Sequence, residues 1–145
     1  MDIVRTLGEF GVIASFGLSA LGSAIGVFIA GTATIGAWKK CSIQNKPVPF
    51  IMVAFAGAPL SNAIYGFIVM STLTASVNLN GFQLLFLGLF AGIVICISAI
   101  TQAHCSACAS DAYAETGQSF GNYIMIIGIC ETIALFTMVF SILFA

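Results

Sequence analysis

Charge is what this chain has least of: four Lys or Arg and five Asp or Glu among 145 residues, 6% of the total. A water-soluble surface carries about 25–35% charged residues, so an aqueous exterior is excluded and the surrounding solvent is read as lipid. A basic excess is missing as well. The formal net charge is −1, which leaves no electrostatic footprint for a nucleic-acid partner. Also absent are the alternating segments of about 10 residues that a membrane barrel needs. Cysteine amounts to five residues, an odd number. Four of them, Cys96, Cys105, Cys108 and Cys130, lie inside apolar stretches where cysteine behaves as a small hydrophobe, so a disulfide framework is not expected.

What is present is hydrophobicity, at 60% of residues. It is gathered into four continuous stretches, roughly 10–38, 49–74, 82–110 and 121–144. A spanning helix takes about 20 apolar residues, and a helix satisfies its own backbone in lipid. The expectation is an all-α membrane protein with four transmembrane helices in a single membrane domain, 1–145. Its two helical hairpins cover about 10–74 and about 82–144. The first stretch carries no cleavage pattern and looks like the later ones, so it reads as a retained span rather than a leader. No organic cofactor is implied.

Lys39, Lys40 and Lys46 gather in the first connection. Positive charge near span ends marks the cytoplasmic side, so this connection and the third, Asp111 to Gln118, are assigned to the cytoplasm. Both termini and the Ser76–Gly81 turn then lie outside. Arg5 argues the other way, but three lysines outweigh one arginine.

The halves read as diverged copies of one hairpin. Ser23-Ala24-Ile25 recurs as Ser98-Ala99-Ile100, and Gly57 through Tyr65 aligns without gaps on Gly128 through Phe136. Glu131 then faces Leu60, so one carboxylate serves four helices. Helices 1 and 3 are dense in small residues at three- and four-residue spacing, among them Ser15, Ser19, Gly22, Gly26, Ala99, Ala103 and Ser106. Such faces let helix backbones approach closely in lipid. Helices 2 and 4 carry bulkier side chains, which suits an inner layer of thin helices and an outer layer of thick ones.

Eight of the nine ordinarily charged side chains lie in terminal or connecting segments or at their edges, whereas Glu131 sits near the middle of an apolar span. An intramembrane carboxylate costs about 2.5 kcal/mol or more and marks a functional site. If helix 4 enters near Gly121, Glu131 lies about 15 Å deep at 1.5 Å per residue. Gln102, Ser61 and Asn62 fall at a similar depth on helices 3 and 2. Four oxygen-bearing groups at one level suit a hard cation. Tyr65 follows Ser61 and Asn62 on the same helical face, where its hydroxyl can donate to the carboxylate. Pro59 frees a backbone carbonyl nearby. His104, Cys105 and Cys108 form a Cys-x-x-Cys with an adjacent histidine, but no second pair completes a zinc site.

Ala-Pro-Leu-Ser-Asn-Ala-Ile-Tyr-Gly-Phe in helix 2, Ser-Ala-Ile-Thr-Gln-Ala in helix 3 and Cys-Glu-Thr-Ile-Ala-Leu-Phe in helix 4 resemble the proteolipid, or K, subunit of vacuolar-type rotary ATPases of the bacterial and archaeal branch. The resemblance implies a homo-oligomeric ring in a prokaryotic cell membrane, surrounded by lipid. The ring turns past a stationary membrane subunit that carries an arginine, and its cytoplasmic loops contact a central shaft. Each member of such a ring moves ions without catalysing hydrolysis itself. In the Na⁺-transporting members a Pro-x-Thr-Gln-x-x-Tyr-Gly pattern, a glutamine and a glutamate enclose the ion. By position the implied Na⁺ ligands are Ser61, Asn62, Gln102, Glu131 and the backbone carbonyl of Ala58, with Tyr65 holding the carboxylate. Asn62 is one methylene shorter than the family's glutamine, and Ser61 replaces threonine. The competing readings are an H⁺-translocating ring subunit, a small dimeric ion-coupled carrier, and a purely structural membrane protein.

Overall fold

A computed structural model describes residues 3–145 of the chain. Met1 and Asp2, part of the N-terminal segment assigned to the outer side, lie outside the described residues. Four helices are long and apolar enough to cross a membrane: Ile3–Ile43, Phe50–Ala75, Gly81–Thr116 and Phe120–Phe144. The described residues contain no strand. The chain is thus an all-helical, four-span membrane protein.

The first and third spans run well past the apolar stretches that define them in the sequence. The charged connections expected over Lys39–Pro47 and Asp111–Gln118 are therefore helical over much of their length. Lys39, Lys40 and Glu115 form helix readily once in water, and nothing stops the chain until Asn45 (φ 53°) and Gly117 (φ 64°) take left-handed conformations. Gly117 closes the third span, its N–H bonding the Tyr113 carbonyl at 2.8 Å. At the other end of that span Asn80 is a cap. Its side chain accepts from the Gln83 N–H, and the Gln83 side chain accepts from the Asn80 N–H.

The second span is not a uniform helix. It opens on a tight turn at Phe50–Met52, continues as Val53–Gly57, tightens again at Ala58–Leu60 and resumes as Ser61–Ala75. Pro59 lies in the second tightened turn, where its missing N–H removes an ordinary helical bond.

The first and third spans pack closely against each other along their length. A Cβ on Gly88 would lie 2.0 Å from the Gly11 carbonyl oxygen, and one on Gly22 would lie 2.5 Å from the Cys96 Cα. Only glycine permits backbones this close, and the gain is van der Waals contact that lipid cannot match. Ser15, Ser19 and Thr34 line the same buried seam and satisfy their hydroxyls on carbonyls three or four residues back. The second span docks on this pair through Gly66, which lies against Ser19, and through Pro59 against Gly26. The fourth packs on the third and second. Large side chains such as Leu60, Ile64, Phe67, Ile129, Ile133 and Phe136 face outward.

Two apolar clusters divide the interior. One holds Met52, Phe55, Ala109 and Ile127; the other holds Val69, Leu73, Ile95 and Ala134. On the second, third and fourth spans the polar residues picked out in the sequence fall between the two. The ends are tied as well. Lys40 meets Asp111 at 3.2 Å and Glu115, and Lys46 donates to the Glu115 carbonyl at 3.0 Å. These contacts bring the first and third connections together at one end, while Ser76 donates to the Ala145 carbonyl at the opposite end.

Candidate functional site

Glu131 lies half-buried on the fourth span, and both its oxygens are occupied. The Tyr65 hydroxyl donates to Oε1 at 2.5 Å, and the Gln102 amide donates to Oε2 at 3.1 Å. Gln102 in turn accepts from Asn62 Nδ2 at 2.7 Å through its own carbonyl oxygen. Asn62 and Gln102 are completely buried. Three spans thus converge on one carboxylate through a continuous chain: Asn62 to Gln102 to Glu131, with Tyr65 entering from the second span.

Each position follows from local structure. Asn62 and Tyr65 are three residues apart, on one face of the helix that restarts after Pro59, and so reach the same neighbour level. Gln102 stands on the face of the third span that also carries buried Ser98, Ala99 and Ser106. Ser98 donates to the Cys130 carbonyl at 3.0 Å, which fixes the fourth-span backbone one residue before Glu131. In the sequence Ser98 stands out only through the repeat. The signal of its role is its place one turn before Gln102.

Two expected members stand apart from this chain. The Ser61 hydroxyl donates to the Ala58 carbonyl at 3.0 Å, so these two groups bond each other rather than the carboxylate. The short reach of Asn62 also has a visible consequence, since its amide stops at Gln102. Its carbonyl oxygen, Oδ1, is buried without any hydrogen-bond partner. A buried carbonyl without a donor costs about 1–3 kcal/mol, and it is the atom of this cluster best suited to meet a cation.

The carboxyl group has a donor on each oxygen, and hydrogen bonds to a charged acceptor are about twice as strong as neutral ones. The cluster can therefore stabilise a negative charge in an apolar setting, and with it an exchangeable counter-cation. No group of three or more His, Cys, Asp or Glu among the described residues is placed to hold a metal ion, and His104 is exposed.

Residues 85–144 match the model of the family of the ATP synthase C subunit. The matched segment contains Gln102 and Glu131. No curated protein matches the chain. The match lies within the third and fourth spans, and the four apolar helices indicate an integral, multi-pass membrane protein.

Proposed function

We propose that this chain is the ion-carrying subunit of a rotor ring of the vacuolar type, of the bacterial and archaeal branch, with Glu131 as carrier and Na⁺ as cargo. The observation that carries the proposal is the convergence of Tyr65, Gln102 and, through Gln102, Asn62 on a single intramembrane carboxylate. An ionised carboxylate turned toward lipid is prohibitively unstable. Glu131 must then be neutralised by its ion while facing lipid, and must release it where a stator arginine competes. The chain moves ions and leaves hydrolysis to a partner.

Unpartnered Asn62 Oδ1 supports Na⁺, because a buried oxygen lone pair without a donor is a cation ligand in waiting. Ser61 and the Ala58 carbonyl complete the proposed ligand set once their mutual bond opens. One observation favours H⁺ as the second reading: the Gln102 carbonyl is already taken by Asn62, so the polar residues also serve as a hydrogen-bond frame around Glu131.

The end held together by Lys40, Asp111 and Glu115 is assigned to the cytoplasm, where it docks the shaft, and both termini are assigned outside. A cysteine placed at Gln44 in a background without native cysteines should then react only from the cytoplasmic side, and reaction from outside would reverse the topology. The assembly itself is tested by the mass of the intact detergent-solubilised complex. A large cyclic multiple of the 15.1 kDa chain is expected. A dimer would replace this reading with that of a small carrier.

A further inference from the structure

Two thiols stand beside the proposed carrier without taking part in holding it. Cys105 Sγ on the third span and Cys130 Sγ on the fourth are 3.5 Å apart. Both cysteines are free and half-buried. An S–S bond is about 2.05 Å long, so side-chain rotation has only a short gap to close. Cys130 directly precedes Glu131, and Cys105 lies three residues beyond Gln102, so the pair sits one helical turn or less from the carboxylate cluster. A groove of about 370 Å³, lined by His104, Cys105, Cys108, Tyr123 and Ile126 among others, opens beside Cys105. Its lining is largely apolar, which suits a reactant arriving from the membrane.

We propose that Cys105 and Cys130 form an intramembrane dithiol that organic hydroperoxides, the class to which oxidised lipids belong, convert to a disulfide, clamping the third and fourth spans at the level of Glu131. The sulfur of Cys105, nearer the groove, attacks the terminal oxygen of the hydroperoxide. The O–O bond breaks, the alcohol leaves with a proton, and Cys105 becomes a sulfenic acid. The Cys130 sulfur then displaces the hydroxyl, which leaves as water, and the S–S bond forms. Two thiols lose two electrons in total, and one hydroperoxide is reduced to an alcohol and water. A bridge this close fixes Gln102 and Glu131 relative to each other and slows any exchange of ions that changes the partners of the carboxylate. That consequence rests on the carrier reading; the bridge does not.

The test uses membranes containing the assembled full chain, treated with cumene hydroperoxide and then digested for peptide mass analysis. The expected product joins the Cys105 and Cys130 peptides with loss of two hydrogens, and dithiothreitol reverses it. C105A and C130A each abolish the bridge, whereas C108A does not. Hydrogen peroxide, which favours water, should act more slowly. In the same samples carbodiimide labelling of Glu131 should fall on oxidation and recover on reduction. Sulfinic acid without a bridge, bridges between chains through Cys108, or faster oxidation by hydrogen peroxide would overturn the site as proposed. A bridge that leaves Glu131 labelling unchanged overturns the clamp. If Glu131 resists labelling even when reduced, the carrier reading fails while the dithiol stands on its bridge.

Discussion

Gln102 and Glu131 are joined by one hydrogen bond from amide to carboxylate, 3.1 Å long, and the direction of that bond is imposed from behind by Asn62. Because Asn62 Nδ2 takes the Gln102 carbonyl, the amide of Gln102 is turned toward the carboxylate. The three residues act as a unit. Replacement of either amide by leucine should lower the stability of the solubilised assembly by about 1–3 kcal/mol, the penalty for an unsatisfied buried polar group. Gln102→Leu should cost more than Asn62→Leu, since it strips partners from both neighbours. In thermal denaturation the double variant should lose less than the sum. Strict additivity would mean that Asn62 does not orient Gln102.

Glutamine at position 131 keeps the shape of the carboxyl group and can still bond Tyr65 and Gln102, but it cannot exchange charge. Glu131→Gln should therefore leave the ring assembled, by intact mass, and abolish coupled ion transport in reconstituted vesicles. Residual coupled pumping would show that another group carries the ion.

The close seam of the first and third spans makes a sharp structural prediction at Gly88. An added methyl there meets the Gly11 carbonyl oxygen at 2.0 Å, a contact with backbone that no side-chain rotation relieves. Gly88→Ala should destabilise by about 1–3 kcal/mol or more through overpacking, read as a lower yield and a lower unfolding temperature of the assembly. Unchanged stability would mean that the two helices can separate without loss.

The four spans were legible because apolar length is a strong signal, and Glu131 because one carboxylate in lipid stands out against eight charges at span edges. Depth arithmetic along ideal helices also placed Ser61, Asn62, Gln102 and Glu131 at one level, and the structure joins the last three in one chain. Helix ends were less legible. Hydropathy marks where the chain leaves lipid, whereas Asn45 and Gly117, both in left-handed backbone, mark where the helices stop. Side-chain direction was only partly legible. Ser61 and Asn62 are adjacent, yet one turns back to Ala58 and the other reaches across to Gln102. The Cys105–Cys130 approach was hidden for a similar reason: small apolar residues are ordinary in packed membrane helices, and pairing appears only once antiparallel spans are in register.

The most direct measurement of the central claim is the rate at which a carbodiimide labels Glu131 in the assembled ring near neutral pH. The reagent attacks the protonated acid, and a bound cation must displace the proton. Millimolar Na⁺ should slow labelling while equal K⁺ leaves it unchanged, with the modified residue located by peptide mass. Labelling that follows pH alone and ignores Na⁺ would contradict the Na⁺ account and leave Asn62 and Gln102 as a hydrogen-bond frame around a proton-carrying Glu131.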